Sequence, residues 1–401
     1  MSAALILDAF ETSSQNARGS GGGMETRVIK AASGQNYSDI LPEVRSKLNA
    51  GALVIFPTET VYGIAANAAN PDAVARLRAA GVGTASPAYT VHLARKSDAA
   101  RFMPESSPVM RRLARKVWPG PLTLLGHVSE PAKSPISQQH PRSLDAIFDK
   151  DSVSLRCPNH PVFQALIAGM DAPIIASGAG KPGAPPAFDA NTALGNLPGV
   201  AEFALDAGPT ALRQVSTVVE LRGHAWAICR LGAIDERTVT RLARSEILFV
   251  CTGNSCRSPM AEYLFRRMLS ERLGFAIGAL AEAGYFVRSA GTAASQEMPA
   301  SRGTLDELTR RGVDARRHRS QHLTVELVQR AERIYVMTSD HLADVLDLAP
   351  EAAGRVSLLD ADGPINDPIG GGPEQYALAA EQIEQACRLR LEEFVREDLN
   401  W

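Results

Sequence analysis

The chain has 401 residues, with 42 Lys plus Arg against 44 Asp plus Glu, a formal net charge of −2. That length implies two domains or three, and the near balance of charge excludes a general nucleic-acid binder of the strongly basic kind. Hydrophobic residues at 45% and charged residues at 21% exclude a disordered, collagenous or coiled-coil chain. No apolar run reaches the roughly 18–20 residues that span a bilayer, so no membrane partner is expected. The opening MSAALILDAFETSSQ lacks the basic start and the longer apolar core of a secretory signal. Five scattered cysteines fit a reducing cytoplasm better than a disulfide scaffold.

Residues 1–26 read as a flexible tail. ARGSGGG, Ala17 to Gly23, has linker composition, and Met24 behind it offers a second start codon. A first block runs over 27–232. GALVIF (Gly51 to Phe56) reads as a buried strand, PDAVARLRAAG (Pro71 to Gly81) as a helix opened by Pro and closed by Gly, and SPVMRRLARKVW (Ser107 to Trp118) as a helix stopped by Pro119. Pro131 to Lys150 is polar and predicts an irregular surface excursion. STVVEL (Ser216 to Leu221) and AWAICR (Ala225 to Arg230), separated by RGH, predict a hairpin.

Residues 233–245 predict a helical connector, and the second block occupies 246–401. EILFV (Glu246 to Val250), FVRSAGT (Phe286 to Thr292), RIYVMT (Arg333 to Thr338) and RVSLLD (Arg355 to Asp360) read as strands. They alternate with helices, beginning with SPMAEYLFRRMLSERLG (Ser258 to Gly274) and closing with a long one from Pro373 to Glu397. That alternation predicts an α/β doubly wound parallel sheet with its ligand site at the carboxyl ends of the strands.

The sharpest string is VCTGNSCRSP, Val250 to Pro259. A cysteine follows a strand, five residues intervene, and Arg257 and Ser258 open a helix. Five residues suffice to turn the backbone N–H groups of Thr252, Gly253, Asn254, Ser255, Cys256 and Arg257 inward as an anion nest capped by a helix N-terminus. The same field is expected to lower the pKa of Cys251. Arg257 supplies a bidentate fork for phosphoryl oxygens, and Ser258 is placed to hydrogen-bond the sulfur. Asp367, in DPIGGG before the last helix, is the candidate proton donor to a leaving group. This set suits attack of Cys251 on phosphorus and hydrolysis of the resulting cysteinyl-phosphate, a reaction that needs no metal and no cofactor.

On VCTGNSCRSPMAE, RSAGT (Arg288 to Thr292), VMTSDH (Val336 to His341) and DPIGG, the second block resembles the low-molecular-weight protein phosphatases. The resemblance implies Cys251 as nucleophile, Arg257 as phosphate binder, Asp367 as general acid, and Asn254 and Ser289 as supports of the loop, with Asn254 in an unusual backbone conformation. It implies a phosphorylated protein as substrate. Ile369 and glycines stand after Pro368 where tyrosine phosphatases of the family place an aromatic, and Ser255 precedes Cys256 where they place a bulky aliphatic residue. Ser255 and HRSQHLT (His318 to Thr324) are similar to the bacterial arginine-phosphatase branch, so phosphotyrosine and phosphoarginine both stay open. Cys251 and Cys256 are close enough in sequence for a protective disulfide or for simple packing of Cys256. Only Cys387 remains as a relay thiol in this block, which disfavours arsenate reduction.

The first block carries PTETVYG (Pro57 to Gly63), WPGPLT (Trp118 to Thr123), SLRCPNHP (Ser154 to Pro161), STVVEL and ICRLG (Ile228 to Gly232). On these strings it resembles the YrdC-like threonylcarbamoyl-adenylate synthases, which use threonine, bicarbonate and ATP for tRNA modification. The resemblance implies an open twisted α/β sheet around a basic cavity, threonine-side contacts from Thr58, Thr60 and Tyr62, and Arg156, Ser177, Ser216 and Arg230 near a nucleotide. The family's Lys-x-Arg segment is absent: Ala79 to Ala94 contains no Lys or Arg, and the Ser-Ala-Asn turn reads Ser177, Gly178, Ala179. A polyanion would lose charge-assisted hydrogen bonds worth about 1.5–3 kcal/mol each. Three readings follow: a phosphatase with a degenerate, ligand-sensing first block; a bifunctional enzyme; and a phosphoresidue reader, which would not need Asp367.

Overall fold

The computed structural model describes residues 24–31, 39–83 and 89–399. The glycine-rich part of the tail and residues 84–88 of the altered Ala79 to Ala94 stretch lie outside them. The chain divides into two compact units, with the change between Glu236 and Arg237.

The first unit is built on a mixed sheet, eleven strands among the described residues. Val54–Phe56 and Gly63–Asn67 form an antiparallel pair, and Gly63–Asn67 continues the sheet onto Ile174–Gly178. The loop between the first two is the Pro57 to Tyr62 segment. Thr217–Arg222 and Ala225–Arg230 are an antiparallel hairpin turning at Gly223, whose φ of +62° suits glycine. Helices Leu41–Asn49 and Pro161–Ile167 bury Val44, Leu48, Phe163 and Leu166 against Val54, Phe56 and Leu205. Phe56 and Phe163 stack at 3.8 Å. The predicted helices appear as Pro71–Ala79 and Pro108–Val117, capped by the side chains of Asn70 and Ser107. Thr26 is buried and its hydroxyl donates to Ala201 O at 2.7 Å.

The expected irregular excursion at Pro131 to Lys150 is corrected. Pro131–Lys133, Pro135–Gln139, Pro141–Ser143 and Leu144–Ile147 are short helical turns, and Ile136, Ala146, Ile147 and Phe148 are buried. Pro131, Pro135 and Pro141 each open a turn, where the missing N–H costs nothing. The polar composition of the stretch was the feature that read as irregularity.

In the second unit, four parallel strands lie in the order Tyr285–Gly291, Ser245–Cys251, Arg333–Val336, Val356–Leu358. Strand side chains alternate between faces. Ile247, Phe249 and Cys251 join the core formed with Leu264, Phe265, Leu308 and Ile383, from helices Arg257–Leu273, Arg302–Arg310 and Pro373–Leu399. Leu248 and Val250 join the core with Val328 and Val345, from Val325–Arg330 and Ser339–Leu348. A central strand apolar on both faces, covered by helices on both, is the doubly wound arrangement.

Candidate functional site

Ser245–Cys251 delivers Cys251 to the carboxyl edge of the sheet, buried at 2% exposure. The chain then turns through Thr252 to Cys256 and enters helix Arg257–Leu273. Gly291 on the neighbouring strand lets the turn pass: a Cβ there would lie 2.4 Å from Thr252 O and 2.8 Å from Asn254 N.

Asn254 holds the turn. Its φ is +52°, in the left-handed region, and it is fully buried. Its amide nitrogen donates to Ser258 Oγ (2.9 Å) and Ser289 Oγ (2.8 Å). Its Oδ1 accepts from Gln321 N (2.9 Å), and its carbonyl accepts from His318 Nε2 (2.8 Å). Ser289 Oγ passes its proton toward Glu262 Oε2 at 2.6 Å. Every polar side-chain atom of Asn254 is thus engaged in keeping an uncommon backbone conformation.

Ser258 Oγ lies 3.0 Å from Cys251 Sγ and 3.3 Å from Ala290 O. Arg257 is 5% exposed. Its Nη1 donates to Ile365 O (3.1 Å) and its Nη2 to Asp367 Oδ2 (2.5 Å). Its buried Nε has no partner among the described residues. Asp367 is half-exposed, and its other oxygen accepts from Ile369 N at 3.1 Å. Arg257 and Asp367, 110 residues apart, are therefore joined beside the loop. Ser255 O accepts from Ser301 N, and Cys256 Sγ packs 3.2 Å from Ser301 Oγ and 3.6 Å from Tyr376 Oη. Gly253 is exposed at the loop's outer turn. Cys387 is buried in the core.

One expectation is corrected here. Burial pushes the Cys251 thiol up; the hydrogen bonds from Ser258 and from the Asn254 backbone, and the charge of Arg257, act downward without prevailing. The last residue of a central strand is also a core residue, and desolvation favours the neutral thiol.

His341 was missed as a site residue. Its Nε2 lies 2.8 Å from Thr252 Oγ1 and its Nδ1 2.7 Å from Thr338 Oγ1. Burial, then the Arg257 charge, lowers its pKa, so the neutral ring links the phosphate loop to the next strand's end. The signal was present in VMTSDH: Thr338 three residues before His341, at the start of a helix.

In the first unit, Thr58, Thr60, Arg156 and the unassigned Glu59 form one cluster. Arg156 Nη2 donates to Glu59 Oε1 and Thr60 Oγ1, both at 2.8 Å; Thr58 Oγ1 lies 2.9 Å from Thr60 Oγ1; Asn159 N donates to Glu59 Oε2. Ser216, Arg230 and Thr123 form another, with Arg230 Nη2 to Ser216 Oγ and Ser216 Oγ to Thr123 Oγ1 both at 3.0 Å. Thr58, Tyr62, Arg156, Ser177, Ser216 and Arg230 line one cleft of about 670 Å³, with Lys181 and the apolar Val82, Tyr89, Ala176 and Val218. Thr60 is buried behind it. The Tyr62 hydroxyl is committed elsewhere, donating to Gly208 O and accepting from Ala207 N. Among the described residues, no cluster of His, Cys, Asp or Glu could hold a metal ion, and no helix is long and apolar enough to cross a membrane.

The second unit thus presents a thiol and an arginine on a strand–loop–helix turn with a carboxylate beside them. A family model described as low molecular weight phosphotyrosine protein phosphatase matches residues 246–400, and one described as telomere recombination (Sua5_yciO_yrdC) matches residues 46–232. A protein-arginine-phosphatase of Geobacillus stearothermophilus is 36% identical over 143 residues, 34% of this chain and 88% of that protein. A putative threonylcarbamoyl-AMP synthase of Mycobacterium tuberculosis is 31% identical over 217 residues, 50% of this chain and 91% of that protein. The threonylcarbamoyl-AMP synthase of Pyrococcus abyssi is 32% identical over 192 residues, 48% of this chain; the chain spans about half of that relative's length, 54%. The chain belongs to the low molecular weight phosphotyrosine protein phosphatase family through its second unit and to the Sua5/YciO/YrdC family through its first.

Proposed function

We propose that the second unit hydrolyses a phosphorylated protein side chain, with phosphoarginine favoured over phosphotyrosine. The Cys251 sulfur attacks phosphorus, forming S–P as the bond to the leaving nitrogen or oxygen breaks, and Asp367 gives that atom its proton. The Asp367 carboxylate then takes a proton from water, whose oxygen displaces sulfur and releases phosphate. Ser258 has one hydroxyl proton for two nearby acceptors: turning it from Ala290 O to Cys251 Sγ stabilises the thiolate when it forms. The observation that carries the reading is Arg257. It is buried, tied to Asp367 at 2.5 Å, and its Nε lacks a protein partner, which suits a donor awaiting a phosphoryl oxygen.

Phosphoarginine is favoured because Ser255 is small and Ile369, exposed at 65%, is followed by glycines rather than an aromatic wall. The 36% identity to a protein named protein-arginine-phosphatase supports it. Purified protein should turn over phosphoarginine faster than phosphotyrosine, with Cys251→Ser inactive on both. Preference for phosphotyrosine would reject the substrate assignment, and activity surviving in Cys251→Ser would reject the mechanism. A thiol nucleophile suits a cytoplasmic setting.

The first unit, in this reading, binds a small molecule without making threonylcarbamoyl-AMP. Glu59 neutralises Arg156 inside the cleft, Ser216 occupies Arg230, and Arg95 pairs with Asp98 at an exposed site. Lys181 is then the remaining cation among the described lining residues, few for a triphosphate. With threonine, bicarbonate and ATP the protein should release no pyrophosphate; release would establish the bifunctional reading and a link to tRNA modification.

A further inference from the structure

The second unit has another cleft, of about 410 Å³, outside the Cys251 loop. Arg266, Arg288, Arg317 and Arg319 line it, with Glu262 as the carboxylate among its lining residues. Arg317 and Arg319 are exposed. A concave surface with four guanidinium groups and one carboxylate selects anions.

Its inner wall is the support of the phosphate loop. Arg266 Nη1 stands 3.6 Å from Glu262 Oε1. Glu262 Oε2 accepts from Ser289 Oγ at 2.6 Å, Ser289 Oγ accepts from the Asn254 amide at 2.8 Å, and that amide also donates to Ser258 Oγ, 3.0 Å from the Cys251 sulfur. His318 and Gln321, which also line the cleft, hold Asn254's carbonyl and Oδ1. An unbroken series of polar contacts leads from the cleft to the nucleophile.

We propose that this cleft is a regulatory site for a small polyanion, coupled through Glu262, Ser289 and Asn254 to the reactivity of Cys251. Burial holds the Glu262 carboxyl above its ordinary range, and the cations that offset this are Arg266 and Arg288. The Ser289 hydrogen bond offsets that burial as well, so an anion drawing those guanidinium groups onto itself leaves Glu262 with Ser289 as its main support. Glu262 then takes a proton and ceases to accept from Ser289. The Ser289 hydroxyl turns, and Asn254 loses one anchor of its left-handed conformation. The contact between Ser289 and Glu262 is thus the element that the ligand can bias.

The proposal rests on the thiol loop as described but not on turnover. Full-length protein is titrated with citrate, and separately with tripolyphosphate, at constant ionic strength. Calorimetry reads binding, and mass spectrometry reads the rate of Cys251 alkylation by iodoacetamide. Arg317→Glu should weaken binding of either anion about tenfold or more, the loss of one charge-assisted contact. The wild-type alkylation rate should change about fivefold at saturation and that of Arg317→Glu should not; Arg302→Glu, an exposed charge reversal outside the cleft, should behave as wild type. Equal binding by wild type and Arg317→Glu overturns the site. Binding with no change in alkylation, or a change that persists in Arg317→Glu as protection within the loop would, overturns the coupling. Because alkylation needs no substrate, a protein that hydrolyses neither phosphoresidue would refute the proposed function and leave this result standing.

Discussion

Asp367 is held at both oxygens: Oδ2 accepts from Arg257 at 2.5 Å and Oδ1 accepts from Ile369 N. Its value as an acid depends on the basicity of the atom it protonates. Asp367→Asn should therefore slow phosphoarginine and alkyl phosphates far more than nitrophenyl phosphate, whose leaving group departs without help. A uniform loss across leaving groups would remove Asp367 from that role. At Cys251 burial outweighs the loop's donors, which favours the neutral thiol. The alkylation rate of wild-type protein should keep climbing past pH 9, the ordinary thiol range. A plateau below pH 7 would show that the loop's donors prevail instead. The spacing of Cys251, Arg257 and Ser258 was legible because it is local. The Arg257–Asp367 pairing and the thiol's desolvation were not, since one spans 110 residues and the other depends on helices that reach the strand only in the folded chain.

At the level of elements, the phosphate loop is shaped as much by the neighbouring strand as by its own residues. Gly291 ends that strand, where a methyl group would strike Thr252 O and Asn254 N. Both partners are backbone, so no side chain can swing aside. Gly291→Ala should lower kcat by about tenfold or more and lower the melting temperature as well; kinetics indistinguishable from wild type would mean the loop is freer than its contacts imply. RSAGT stood out in the sequence as a matching string, but nothing in it stated why the glycine is needed. The reason lies in a strand pairing that sets Gly291 opposite Cys251. The helix starts read near Pro71 and Ser107 were more legible, and there Asn70 and Ser107 cap by their own side chains, a local signal. The Pro131 to Lys150 region misled because its polar composition hid the few apolar residues, Ile136, Ala146, Ile147 and Phe148, that its short turns bury.

For the molecule as a whole, two families are joined in one chain, each unit with its own core, and their acid responses should differ. In the first unit His92 sits edge-on to Phe56 and Phe163, its Nδ1–H directed to Thr90 O. Burial, followed by the Arg156 charge, moves its pKa from 6.5 to about 3. The folded unit keeps His92 neutral while the unfolded chain takes up a proton below about 6.5, so stability falls as pH drops from 6.5 toward 3. In denaturant titrations, the advantage of wild type over His92→Gln should shrink across that window; a constant difference would place the acid sensitivity elsewhere. The α/β character of each half was legible from its mix and alternation of strand and helix patterns. The Glu59–Arg156 pair was not, because Glu59 lay inside a string read for its hydroxyls.

Cys251 is the third member of a row, after Ile247 and Phe249, whose side chains all enter the same apolar interior. The Cys251 sulfur is therefore mounted on the hydrophobic scaffold itself, with no flexible spacer between the two. Small volume changes beneath it, Phe249→Leu for instance, would displace the attacking atom before they unfolded the unit. A mutational screen scored by turnover alone would report many interior positions as if they were reactive ones, and only a parallel stability measurement would tell the foundation from the instrument standing on it.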